Sequence, residues 1–135
     1  MKTTVSLLII CGSLLSQQQN SFDITLCIDQ DCDGDVTISQ SMSVQLLSIW
    51  VGASFQLWGN FGAPLPSLQL CQFFTELDPG NVFLLWEGSF PSTSGIVIQT
   101  YTLPPGVSVD FVIQAVVFIP NMCGYSVSQA TYVHP

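Results

Sequence analysis

The sequence predicts an all-β domain built as an antiparallel β-sandwich. Three observations carry that expectation. Val, Ile, Phe, Thr, Ser, Gly and Pro dominate, while Ala, Glu and Lys, which favour helices, are scarce. Runs of alternating or β-branched residues recur between turn signals. The longest such run, residues 107–119, sets Val109, Phe111, Ile113, Ala115 and Val117 on one face. Asp110, Val112, Gln114, Val116 and Phe118 fall on the other, which is the two-residue period of a strand.

Taken in order, residues 22–28 form a first expected strand, and 43–51 and 54–58 lie on either side of Gly52. Leu46, Ile49 and Trp50 share helical spacing, so a helix over 41–50 is the subordinate reading there. Gly59-Asn60-Phe61-Gly62, with Pro64 and Pro66, marks a loop before a strand at 67–74. Asp78-Pro79-Gly80-Asn81 is a turn, because Pro presets φ while Gly and Asn accept positive φ. Strands follow at 82–86 and 95–103, separated by Gly88 and a Ser/Pro-rich loop around Pro91. Pro104-Pro105-Gly106 stops the chain before 107–119, and Pro120-Asn121 precedes a last strand at 124–133. The total, about seven or eight short strands, suits an immunoglobulin-like or jelly-roll-like sandwich. FQLWGN at 55–60 resembles FLLWEG at 83–88, and both read as strand ends with a Trp closing the core.

A length of 135 residues suits one domain. Residues 1–20 read as a secretory signal peptide: Lys2, an apolar run from Val5 to Ile10 extended by Leu14 and Leu15, then polar Gln17-Gln18-Gln19-Asn20. The run is too short for a membrane-spanning helix. Residues 21–42 hold the first strand and an acidic loop, and 43–135 complete the sandwich body as one domain with them. Lys2 is the sole Lys or Arg against nine acids, and the formal net charge is −8. Removal of the leader leaves no strongly basic residue. That argues against nucleic acid and anionic membranes as partners, because nothing neutralises phosphate. Cys27, Cys32, Cys71 and Cys123 remain after the leader, an even count that favours two disulfides in an exported chain. Three connectivities are possible. Cys27–Cys32 with Cys71–Cys123 is preferred, since the first pair flanks a tight acidic turn.

The acidic loop carries the clearest chemical pattern. Asp29, Asp31 and Asp33 occupy positions 1, 3 and 5 of a calcium loop, Gly34 the sharp-turn position 6, and Asp35 position 7. Alternate carboxylates on a tight turn converge on a hard cation. The segment resembles the loops of EF-hands, dockerins and thrombospondin-type repeats. It departs from them at position 12, where Gln40 replaces a bidentate acid. The expected cofactor is a structural calcium ion.

Catalytic constellations are missing from the pattern. His134 is the only His and is penultimate, a poor platform for a nucleophilic triad. No zinc cluster or phosphate-binding loop is spelled out. Glu76, Asp78, Glu87 and Asp110 read as turn acids and not as a glycosidase pair. Trp50, Trp58 and Trp86 are candidate ligand-stacking residues. An outer-membrane barrel fits less well, because the strands are short and Pro interrupts the loops.

GASFQLWGNFGAP at 52–64 and LPPGVSVDFVIQAVVFIP at 103–120 resemble small exported bacterial proteins of planctomycete type, whose β domain has no assigned function. The resemblance implies secretion and a β-sandwich, and no activity. The expected function is thus a secreted, non-catalytic module for extracellular or cell-surface structure and adhesion, calcium-stabilised and self-associating. The alternatives are a carbohydrate-binding module and, least favoured, a secreted hydrolase. Expected partners are further copies of the chain or an extracellular glycan or protein.

Overall fold

The computed structural model describes residues 23–135. The expected leader and Phe22 lie outside the described residues. Eleven strands follow in order: β1 (Ile24–Ile28), β2 (Asp35–Thr37), β3 (Ser41–Ser48), β4 (Ser54–Phe61), β5 (Leu68–Leu70), β6 (Phe73–Thr75), β7 (Phe83–Ser89), β8 (Ile96–Thr102), β9 (Phe111–Phe118), β10 (Tyr125–Val127) and β11 (Thr131–His134). No helix occurs among the described residues.

The strands build a β-sandwich. One sheet runs β1-β3-β8, and the other runs β2-β11-β9-β4-β7 with β10 also paired to β9. A separate hairpin, β5-β6, lies outside both. Every pairing is antiparallel except β11 with β2. Between the two main sheets, Ile24, Leu26 and Ile28 of β1 and Val44 and Leu46 of β3 meet Phe55 and Leu57 of β4 and Phe111, Ile113, Ala115 and Val117 of β9. Burying each large side chain contributes about 1.5–3 kcal/mol.

Local differences from the sequence reading have physical causes. Residues 41–48 are extended, with buried Met42, Val44 and Leu46 alternating with more exposed neighbours, so the period of two wins over helical spacing. The strand expected at 67–74 breaks into β5 and β6 at Cys71, whose φ is 60°. The last expected strand splits into β10 and β11, which take successive stretches of one edge of β9. β2 arises inside the acidic loop because the chain end, β11, pairs with it.

The two similar hexapeptides are neighbours in space. Leu57 sits opposite Trp86, but a bulge shifts the register so that Trp58 faces Leu84. Trp86 therefore packs on the core side, edge-on to Phe55 at 4.8 Å between ring centroids. Trp58 points to the outer face. At the sandwich end, Ser48 N donates to Gly95 O at 2.8 Å, and a Cβ added at Gly95 would lie 1.8 Å from Ser48 O. No side-chain rotation relieves a clash with backbone. Gly95→Ala is expected to part β3 from the start of β8 and cost more than about 2 kcal/mol, read from urea unfolding. Unchanged stability would refute that close approach.

Candidate functional site

The acidic loop does not form the calcium site expected from its spacing. Ile28 and Asp31 exchange both backbone hydrogen bonds, 2.9 and 2.8 Å, closing a two-residue turn. Asp29 and Gln30 take φ of 51° and 69°, the positive values such a hairpin needs. The Asp29 carboxylate then accepts from Ser43 N at 2.8 Å, and that of Asp31 from Asp33 N at 2.9 Å. Asp35 is carried off on β2 to His134, and Gln40 Nε2 donates to Leu103 O at 3.4 Å. Cys27 and Cys32 are disulfide-bonded across the turn. The side chains of Asp29, Asp31, Asp33, Asp35 and Gln40 are thus drawn to separate partners or to solvent. Among the described residues no group of three or more His, Cys, Asp or Glu side chains is placed to hold a metal ion. The calcium expectation is corrected accordingly.

His134 is not frayed. It lies on β11, where its carbonyl accepts from Ile38 N at 2.8 Å. Its Nε2 lies 3.0 Å from Asp35 Oδ1 and its Nδ1 3.2 Å from Asp110 Oδ2. Both contacts are hydrogen bonds only in the imidazolium, which donates from both nitrogens. Tyr132 Oη donates to the same Asp110 oxygen at 3.1 Å, and its ring lies 4.2 Å from the imidazole. Partial burial, that hydrogen bond and the charges of Asp110 and Asp35 hold the Tyr132 phenol above its ordinary pKa. This cluster fastens β2, β11 and the start of β9.

An apolar concavity lies on the outer face of the larger sheet. There Trp58 of β4, Gln114, Val116 and Phe118 of β9, and Tyr125 and Val127 of β10 form a floor. The β5-β6 hairpin and residues 77–82 arch over it, adding Leu70, Thr75, Leu77, Pro79 and Val82. They enclose a cleft of about 310 Å³ whose walls are almost wholly apolar. Sequence reasoning missed it, although the second face of 107–119 carried the signal. Val112, Val116 and Phe118 are apolar on a face that a simple sandwich turns to water, so something was needed to cover them.

Three fastenings hold the arch down. Gln114 is only 2% exposed, and its Nε2 donates to Phe74 O and Ser128 O, both at 2.8 Å. Its Oε1 accepts from Thr75 Oγ1 at 3.0 Å and Glu76 N at 3.4 Å. Cys71 of the hairpin is disulfide-bonded to Cys123 before β10, and Tyr125 Oη donates to Leu70 O at 3.2 Å. Beneath β10, Ser126 and the Trp50 indole both donate to the Asp23 carboxylate, tying the start of the described chain to both sheets. No local pattern marks Asp23 as a clamp.

The three Trp residues do not make a flat stacking face. Trp50 bonds to Asp23, Trp86 packs toward the core, and only Trp58 borders the cleft.

No protein-family model and no curated protein matches the sequence. Solved structures do. A superoxide reductase (neelaredoxin) from Ignicoccus hospitalis aligns over 83% of this chain and 80% of its own, with a TM-score of 0.51 and 13% identity. A lytic polysaccharide monooxygenase of the AA10 group from Streptomyces lividans covers 79% of this chain at 14% identity and a TM-score of 0.47. Another monooxygenase of that kind, from Kitasatospora papulosa, covers 74% at 17% identity and 0.45. The chain spans 62% and 49% of those two proteins' own lengths. The likeness to neelaredoxin shows the sandwich fold. A protein of that fold is named as an enzyme, so the expectation of a non-catalytic adhesion module and the exclusion of an enzyme are withdrawn. The stacking face that the carbohydrate-binding alternative rested on is not formed, because the three Trp side chains do not line up.

Proposed function

We propose that this domain captures an apolar small molecule, or the apolar part of a larger one, in the cleft beneath the β5-β6 arch. The supporting observation is the cleft: about 310 Å³, roofed and floored by apolar side chains and held in shape by fastenings at its rim. That volume lies at the lower end of ordinary small-ligand sites, enough for a short alkyl chain or a ring system. Two disulfides are compatible with an oxidising extracellular compartment, and with the leader-like residues 1–20 they support a secreted protein.

The redox chemistry of the named neighbours finds no matching donor set among the described residues. Both nitrogens of His134 are engaged by carboxylates, and Cys27, Cys32, Cys71 and Cys123 are all in disulfides. The cleft walls are the better guide.

An uncharged solvatochromic dye such as Nile red tests this reading. Its fluorescence should rise and shift to the blue on titration with the protein. Val116→Glu, which puts a carboxylate on the half-buried floor, should abolish the rise and leave far-UV circular dichroism unchanged. No rise with the natural chain, or an equal rise with the variant, would overturn the proposal.

A further inference from the structure

The cleft does not end at Phe118. That ring, 43% exposed, borders both the apolar cleft and a second groove of about 260 Å³. The second groove is more polar than the first. It lies over the paired ends of β4 and β7, where Ser54, Gln56, Glu87 and Ser89 supply its polar lining beside Phe55 and Gly88. Strand register explains the change of character. Gln56 faces Val116 on one side and Glu87 on the other, and Ser54 faces Ser89. One outer face thus runs from apolar β10 and β9 to polar β4 and β7.

The groove also has a polarity. Trp58 Nε1 donates to Gln56 Oε1 at 3.0 Å, and Gln56 Nε2 donates to Glu87 Oε2 at 3.3 Å. The chain of donors starts at the cleft wall and ends on a carboxylate, which only accepts. Glu87 is exposed, and residues 23–135 contain no Lys or Arg to pair with it. With a net charge of −8, the protein attracts cations and repels anions.

Resting on the cleft proposal, we infer that the ligand is a cationic amphiphile: an apolar body under the arch and an ammonium head that donates to Glu87. The apolar body supplies affinity. The head supplies selection, because a carboxylate or sulfate in its place would meet Glu87 with like charge.

Isothermal titration of the full chain with n-octylamine, 1-octanol and octanoate, below their aggregation limits and at low salt, separates the parts. Octylamine should bind about tenfold more tightly than octanol, the size of one charge-assisted hydrogen bond. Octanoate should bind more weakly than octanol. Glu87→Gln keeps the side-chain shape at an exposed position. It should erase the amine's advantage and leave octanol unchanged. Equal binding of amine and alcohol would overturn the head-group assignment while the cleft stands. Persistence of the advantage in Glu87→Gln would also overturn it. Binding of none of the three would remove the cleft reading itself.

Discussion

Replacing Gln114 by Ala is expected to cost about 3 kcal/mol or more and to loosen the arch before the sandwich melts. Gln114 satisfies four polar groups at once, two on the β6 side and one after β10 through backbone, and one through the Thr75 hydroxyl. Truncation removes both donors from the carbonyls of Phe74 and Ser128 in a place that water reaches poorly. A buried acceptor left without a donor costs about 1–3 kcal/mol. Cavity formation adds to that in the Ala variant, so a second variant separates the causes. Gln114→Leu restores volume but not hydrogen bonds, and it should lose nearly as much in urea unfolding. Amide exchange should accelerate most over residues 73–77, with the β1-β3-β8 sheet still protected. If Gln114→Leu is as stable as the natural chain, the amide is not what holds the arch, and the fastening must be assigned to the disulfide and Tyr125.

The physics behind these fastenings divides what could be read from sequence from what could not. The sandwich was legible because its core obeys a period of two: Met42, Val44 and Leu46 on β3 are buried between more exposed neighbours, and Phe111, Ile113, Ala115 and Val117 of β9 all pack on the core side. The opposite face of β9 was legible as a list of residues but not as a site. Its meaning depends on the 62–82 segment folding back over it, a contact about forty residues away that no local pattern encodes. The acidic loop misled for a related reason. Spacing specifies which carboxylates could converge, but a two-residue hairpin turn and pairing with the chain's far end decide where they go. His134 was discounted by its position near the terminus, whereas β11 places it between two carboxylates. In each case a long-range pairing, absent from any local window, set the outcome.

Breaking the Cys71–Cys123 bridge should have the other large effect, and it should be unequal to breaking Cys27–Cys32. The first bridge joins residues 52 apart in sequence and the second residues 5 apart. By chain entropy the long loop contributes about 4 kcal/mol and the short one about 2 kcal/mol. The short bridge also spans a turn already closed by two backbone hydrogen bonds, so part of its constraint is redundant. The long bridge ties an exposed hairpin, β5-β6, to the chain entering β10, and neither main sheet pairs with that hairpin. Its loss therefore falls on the arch. Cys71→Ser with Cys123→Ser should lower the urea midpoint more than Cys27→Ser with Cys32→Ser. It should also weaken dye binding, because Gln114 and Tyr125 then hold the arch alone against a larger ensemble of open states. Cys27→Ser with Cys32→Ser, far from the cleft, should leave dye affinity unchanged. Equal midpoints for the two pairs would mean that the unfolded chain stays compact enough to hide the entropy difference. Unchanged dye affinity in the first pair would mean that Gln114 suffices to close the cleft, which makes the amide, and not the disulfide, the element that shapes the site.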